Sequence, residues 1–184
     1  MTVILMRGSD LIGRAVVDAS TGDDLAEIKD VVFSSSRGSI TGFRLRVRGF
    51  FGRRLTSALP IDAVLSIGTG NVLIADAEAI SDQLDASQDM VSGDSEDVLD
   101  DEVFTVSGRS LGTVTDVVIL GGSAPRVVAF EVGGGVVGSG LIPLGAQSAV
   151  SGSTSIVSDD FEQRIRNDLT GLAAELSPIE TAGL

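Results

Sequence analysis

Hydrophobic and polar residues alternate along much of the chain with the period of two that is typical of half-buried β-strands. In residues 43–48, one apolar residue and one arginine follow each other three times. Residues 15–17 and 25–33 are further predicted strands, and residues 20–24 between them contain Gly22, which can supply the positive φ of a hairpin turn. The pattern predicts short strands joined by tight turns.

The pattern occurs twice. Residues 24–33 align with residues 110–119, and only short gaps in loops are needed to extend the alignment in both directions. The further matches are Ile12 with Val98, Val17 with Val103, Gly22 with Gly108, 40–45 with 127–132, 49–52 with 135–138, 59–61 with 142–144, and 73–74 with 156–157. We interpret this as an internal duplication of about 70 residues, the size of a minimal domain.

Each copy supplies five or six short strands, which close most easily into a small antiparallel barrel filled by its own side chains. The predicted fold class is therefore all-β, with two tandem small antiparallel β-barrels followed by a C-terminal amphipathic α-helix. The predicted boundaries are a first barrel at 1–80, an acidic linker at 81–97, a second barrel at 98–158 and the helix at 159–177.

Charge supports this division. The chain carries a net charge of −13, yet residues 1–80 hold nine basic and nine acidic residues. Residues 81–102 hold nine acidic residues and no basic one, a composition typical of a solvated linker. There is no cysteine and no apolar stretch of the ~20 residues that a membrane-spanning helix needs. We expect a soluble cytoplasmic protein.

The C-terminal helix is predicted from apolar residues at helical spacing, with Asp159 and Glu162 as a plausible start. Five residues share one face, namely Phe161, Ile165, Leu169, Leu172 and Leu176. We expect this face to pack on a barrel or on a second copy of the chain, in preference to acting as a detachable recognition helix.

A family resemblance rests on five short stretches of the first copy, residues 11–14, Gly22, 28–32, 49–52 and 59–61. Together they resemble a PRC-barrel domain, over residues 9–76 and more weakly over 98–158. The resemblance implies a small β-barrel that acts as a docking or assembly module, without shared catalytic residues. The second copy departs from the pattern, because Phe104 is aligned with Asp18 and the middle loop has no charge.

The residue types oppose ordinary catalysis. The chain has no His, Cys, Tyr or Trp, and Lys29 is the only lysine, at a mid-strand position where a solvated side chain is expected. Residues 133–138 match the pattern GxGxxG, but a strand-like segment with Pro143 follows in place of a helix, so we predict a hairpin loop. The acidic runs lack the ligand spacing of calcium loops. We expect no enzyme activity, no cofactor and no metal.

Residues 43–55 concentrate five arginines and three phenylalanines in an acidic protein. The candidate partner-binding residues are Arg44, Arg46, Arg48, Phe50, Phe51, Arg53 and Arg54, which Arg37 can join. Three interpretations stay open: phenylalanines that pack while the arginines pair with the acidic linker, a protein-docking surface, and a surface for anionic lipid or RNA phosphate.

The second copy keeps the small apolar loop tip but loses every arginine. We therefore expect the phenylalanine pair to pack and the arginines to dock a protein partner, which predicts a non-enzymatic adaptor or scaffold. A peripheral membrane module and an RNA or ribosome-assembly factor are the alternatives, and a homodimer is left open.

Overall fold

The computed structural model describes residues 4–33, 39–47, 57–81, 98–135, 138–144, 149–151, 154–160 and 164–176. Nearly all regular structure in them is β. The strands of the first half are β1 (Leu5–Arg7), β2 (Ala15–Asp18), β3 (Asp24–Phe33), β4 (Ile40–Val47), β5 (Ser57–Pro60), β6 (Val64–Ile67) and β7 (Asn71–Ile74). Those of the second half are β8 (Glu102–Thr105), β9 (Ser110–Leu120), β10 (Arg126–Gly135), β11 (Gly138–Pro143), β12 (Ala149–Ser151) and β13 (Thr154–Val157). A short α-helix, α1 (Leu169–Leu176), follows.

The strands form two sheets with the same topology, and this confirms the duplication. The first sheet has the order β5-β4-β3-β2-β7-β6 and the second the order β11-β10-β9-β8-β13-β12. The predicted antiparallel arrangement is wrong at one place in each sheet, because β2 pairs in parallel with β7 and β8 with β13. β7 lies between β2 and β6, and it pairs with β6 in antiparallel orientation. The two predicted closed barrels are not observed: among the described strands, β5 and β6, like β11 and β12, stand at opposite ends of their strand orders without pairing.

Strand register corrects the alignment of the two copies at one turn. Val16 and Val103 are the buried equivalents, because they pair with Val72 and Ser155 at the same position of each sheet. Before the hairpin turn, each residue of the first copy is therefore equivalent to the residue one position later than the one the sequence alignment gives. By this register, Thr105 is the equivalent of Asp18. The reason is that the second turn is one residue shorter, although both turns keep a glycine with positive φ. Phe104 therefore does not replace Asp18.

The N-terminal strand crosses from the first half to the second sheet. β1 runs antiparallel to β9, with Met6 opposite Ile119, and Gly8 N–H donates to the Val117 carbonyl at 2.8 Å. A second link joins Ile67, at the end of β6, to Gly122, whose backbones exchange hydrogen bonds of 3.0 and 2.8 Å. The buried core accordingly runs continuously from one sheet to the other.

The C-terminal helix is shorter than predicted. Arg166 exchanges two backbone hydrogen bonds with Leu141, at 2.7 and 2.9 Å, which interrupts a helix starting at Asp159. Asp168 begins α1 instead, since its carboxylate accepts from Gly171 N–H at 2.7 Å. Asp159 holds a turn of the second half, where it accepts from the hydroxyl and N–H of Ser107.

The expected packing of α1 is seen on the second sheet. Leu172 is buried there, and Leu169 and Leu176 pack beside it against β9, β10 and β11. Of the other two residues of the predicted apolar face, Ile165 packs against the main core and Phe161 lies outside the described residues. In the part of the chain that the structure describes, no helix is both long and apolar enough to cross a membrane.

Candidate docking surface

Strand β4 presents arginine on one face and core residues on the other. Phe43 and Leu45 are buried, whereas Arg44 and Arg46 point outward, as the alternation in the sequence predicts. β4 is held on both sides, by β3 and β5, so the two guanidinium groups project from a hydrogen-bonded ladder. We call the outer surface of β3 and β4 that carries these two arginines the arginine face.

Both arginines meet carboxylates of the neighbouring strand. An Arg46 Nη lies 2.6 Å from Glu27 Oε1, and an Arg44 Nη lies 3.8 Å from Asp30 Oδ2. The cross-strand register places the partners directly opposite each other, with Glu27 facing Arg46 and Asp30 facing Arg44. The carboxylates observed beside these two arginines belong to β3. One sequence interpretation had paired the arginines with the acidic linker, and it had not considered partners on β3.

A shift of register widens the charged surface. The pairing of β3 with β4 slips between Ile28 and Asp30, so that Lys29 and Asp30 are both exposed. Exposure of Lys29 confirms the expected solvated side chain. Among the described residues, the arginine face is therefore mixed in charge, since Glu27 and Asp30 lie beside the arginines and Lys29 is exposed next to them.

Five of the seven predicted partner-binding residues, namely Arg48, Phe50, Phe51, Arg53 and Arg54, lie outside the described residues, and so does Arg37. The structure brings Arg44 and Arg46 together on one face. The assignment of the other five remains a prediction from sequence.

In the second sheet, the positions equivalent to Asp30 and Arg44 are both acidic, and the N-terminal segment binds them. Asp116 faces Glu131 on β9 and β10, where the first sheet has Asp30 facing Arg44. Arg7 Nε donates to Glu131 at 2.5 Å, and this hydrogen bond raises the pKa of Arg7. Ser9 donates its hydroxyl to Asp116 at 2.5 Å. Sequence reasoning missed the contacts of the N-terminal segment with this pair, although the alignment of 40–45 with 127–132 already matched Arg44 with Glu131.

The segment that matches GxGxxG and the carboxylate of Asp18 both have structural roles in turns. Gly135 pairs with Gly138 across two residues, which confirms a hairpin in the segment that matches GxGxxG. Asp18 caps its turn by accepting from the hydroxyl and N–H of Ser20, and these bonds lower the pKa of its carboxyl. Among the described residues, no group of three acidic, histidine or cysteine side chains is arranged to hold a metal ion.

Comparison with known proteins agrees with the duplicated fold. The model of the PRC-barrel domain matches the chain twice, over residues 4–79 and 92–165. No curated protein matches the chain.

Proposed function

The chain belongs to the PRC-barrel domain family, and we propose that it is a non-enzymatic adaptor of the cytoplasm that docks a protein partner through the arginine face. The observation that carries the proposal is the placement of Arg44 and Arg46 side by side on a rigid strand ladder, with 41% and 67% of their side chains exposed. In the second sheet, the positions equivalent to Arg44 and Asp30 are bound by the chain's own N-terminal segment.

Arginine suits protein docking for two reasons. Its planar guanidinium can bind a partner carboxylate through two hydrogen bonds, and its stem contributes apolar contact area. Arginine is also enriched among the residues that dominate binding energy at protein interfaces. Two arginines held by β4 lose little conformational freedom of the backbone when a partner binds, which favours affinity.

The ion pairs within the face leave it available. Exposed ion pairs contribute about 0–1 kcal/mol, so a partner carboxylate can replace Asp30 at small cost, whereas the side chain of Glu27 is only 18% exposed. Asp30 is the easier of the two to replace, because its 3.8 Å distance from Arg44 is longer than a hydrogen bond and its side chain is 53% exposed.

Capture of partners from a lysate of the source cells, after nuclease treatment and removal of membranes, tests the proposal. The variant Arg44→Ser/Arg46→Ser is compared with wild type and with Arg109→Ser/Arg126→Ser. The control removes the same charge from exposed positions of the second half. We expect a captured protein that is lost only with the first variant, while circular dichroism shows both variants folded.

A third variant works in the opposite direction. Glu27→Gln/Asp30→Asn removes the counter-charges of the face, so we expect stronger capture of the same protein. Capture that is equal in all variants would contradict the proposal. Loss of capture after nuclease treatment, or flotation of the purified chain with anionic vesicles that depends on Arg44 and Arg46, would favour the nucleic-acid or membrane alternative.

A further inference from the structure

The chain enters its two halves through equivalent turns. In the first half, Gly13 has a positive φ and its N–H donates to the Ile28 carbonyl at 2.7 Å. In the second half, Asp100 has a positive φ and its N–H donates to the Val114 carbonyl at 2.8 Å. Ile28 and Val114 are aligned in the duplication, so Gly13 and Asp100 are equivalent positions.

Counting back from these turns gives the counterpart of β1 in the second half. Residues 4–8 correspond to residues 91–95, which lie outside the described residues and within the predicted acidic linker. Asp10, whose carboxylate accepts from the N–H of Arg7 at 3.0 Å, corresponds to Asp97. The second match to the PRC-barrel domain begins at residue 92. We call residues 91–95 the second entry segment, because they lead into the second half as β1 leads into the first.

β1 pairs with the other half of the chain and not with its own. It fills the edge of β9 beyond β8, where Arg7 lies opposite Val118. The equivalent edge of the first sheet is formed by Val32 and Phe33 of β3, with which no strand of the described residues pairs on that side. Both residues are buried, at 8% exposure. A buried edge favours an occupant from the chain itself.

The two edges meet where the halves join. A Cβ built on Gly8 would lie 3.7 Å from Phe33 Cζ and 2.9 Å from Val117 Cγ2, so the N-terminal segment leaves the edge of β9 beside the equivalent edge of β3. Val98, which closely follows the second entry segment in sequence, packs in the same buried core as Phe33. The second entry segment is therefore within reach of the edge of β3.

Charge complementarity supports the same occupant. In the second sheet, Arg7 Nε donates to Glu131 at 2.5 Å. In the first sheet, Arg44 stands at the position of Glu131. In the second entry segment, Asp94 stands at the position of Arg7. Both members of the pair are reversed in sign, so an attraction between them is preserved.

We propose that the second entry segment pairs with the edge of β3 and places the Asp94 carboxylate on Arg44, so that each half of the chain contributes a strand to the sheet of the other half. The segment pairs more weakly than β1, because Gly93 stands where β1 has Met6. A partner carboxylate that binds Arg44 first displaces Asp94, which makes the contact autoinhibitory. This regulatory step rests on the proposed function, whereas the strand pairing does not.

Disulfide trapping tests the strand pairing, because the chain has no cysteine of its own. The variant Val32→Cys/Asp94→Cys is oxidised in a glutathione buffer, and the linked peptides are identified by mass spectrometry. The positive control is Arg7→Cys/Val118→Cys, which joins the observed partners of β1 and β9. In the matched negative control, Val32→Cys/Asp89→Cys, the second cysteine lies elsewhere in the acidic linker. We expect the first two variants to form an intramolecular disulfide about tenfold faster than the third.

The amide of Phe33 reports on the contact without a cross-link. The Gly121 N–H donates to the Ile4 carbonyl of the N-terminal segment. Because alternate amides of a strand point in the same direction, the N–H of Ile119 faces β1 as well, and Phe33 is the equivalent of Ile119. Hydrogen exchange at Phe33 therefore measures pairing of the second entry segment.

Charge exchange tests the assignment of Asp94. Asp94→Arg should make exchange at Phe33 about fivefold faster, and Arg44→Glu added to it should restore the original rate. Asp89→Arg changes the linker charge equally and should leave the rate within about twofold of wild type. Capture of the partner from lysate should rise about fivefold with Asp94→Asn and stay unchanged with Asp89→Asn.

Four results would overturn the inference. They are trapping no faster than in the negative control, a Phe33 amide that exchanges freely or ignores the charge exchange, disulfides between two chains, which indicate a second copy at the edge, and capture that Asp94→Asn leaves unchanged. Capture that depends on Arg44 and Arg46 without trapping would leave the proposed function standing and refute the strand pairing. Trapping without any captured partner would leave the strand pairing standing and refute the proposed function.

Discussion

Met6 offers a sharp test of the crossover of β1 from the first half of the chain to the second sheet. Its side chain is 4% exposed, its sulfur accepts from Arg14 at 3.4 Å, and its methyl end lies next to Gly121. Truncation of a buried methionine to alanine costs about 2–5 kcal/mol, and the lower end applies to a strand of three residues at a sheet edge, which can adjust around the lost volume. We therefore expect Met6→Ala to destabilise β1 on the second sheet by about 2 kcal/mol.

Native-state hydrogen exchange locates that loss. The Gly121 N–H donates to the Ile4 carbonyl at 2.8 Å, so its protection depends on β1. A loss of about 2 kcal/mol corresponds to exchange that is about 30-fold faster. The Ala19 N–H, which donates to Ile74 within the first sheet, reports on the first half. If β1 lies on the second sheet, the rate at Gly121 rises at least as much as the rate at Ala19.

The control is Val106→Ala, which removes similar apolar atoms from an exposed position and should change stability by less than about 0.5 kcal/mol. Unchanged protection of Gly121 in Met6→Ala, with faster exchange at Ala19, would refute the assignment of β1 to the second sheet.

Three further predictions concern local geometry. Asp100 has a φ of 68°, at the position where the first half has Gly13. Asp100→Gly should raise the free energy of unfolding by about 0.5 kcal/mol in urea denaturation, because the relief of left-handed backbone strain slightly exceeds the entropy cost of glycine. Gly135→Ala should cost more than about 3 kcal/mol or prevent folding in the same assay, because a Cβ there would overlap the Leu111 carbonyl. The pKa of Asp18 is lowered in the folded protein. The contribution of its carboxylate to the free energy of unfolding is therefore present at pH values above its ordinary pKa near 4, and it is lost as the pH falls through the pKa of the folded state. Thermal melts between about pH 2 and 7 should show less acid destabilisation for Asp18→Asn.

Much of the fold could be predicted from local patterns. The alternation of apolar residues and arginine gave the inward and outward faces of β4, and glycine placement gave the hairpin turns. Self-similarity revealed two equivalent sheets because packing requirements repeat with the sequence. The parallel pairing of β2 with β7 was missed, since short strands carry no local signal for the direction of a distant neighbour.

The crossover of β1 was missed for a similar reason. Leu5–Arg7 is a short apolar strand that either sheet could accept, and its partner, β9, lies more than 100 residues away. The counter-charges of the arginine face were also missed, because pairing of Arg46 with Glu27 depends on a register that the sequence does not specify once β3 contains a slip. The change from Arg44 to Glu131 was visible in the alignment, but its meaning depends on Arg7 of the N-terminal segment, which binds Glu131.

Docking through the arginine face is tested by hydrogen–deuterium exchange of the chain alone and in complex with the captured partner. We predict that partner binding slows exchange in β3 and β4, over Asp24–Phe33 and Ile40–Val47, and leaves the equivalent strands β9 and β10 unchanged. Protection confined to the second sheet or to α1, with β3 and β4 unaffected, would contradict docking through the arginine face.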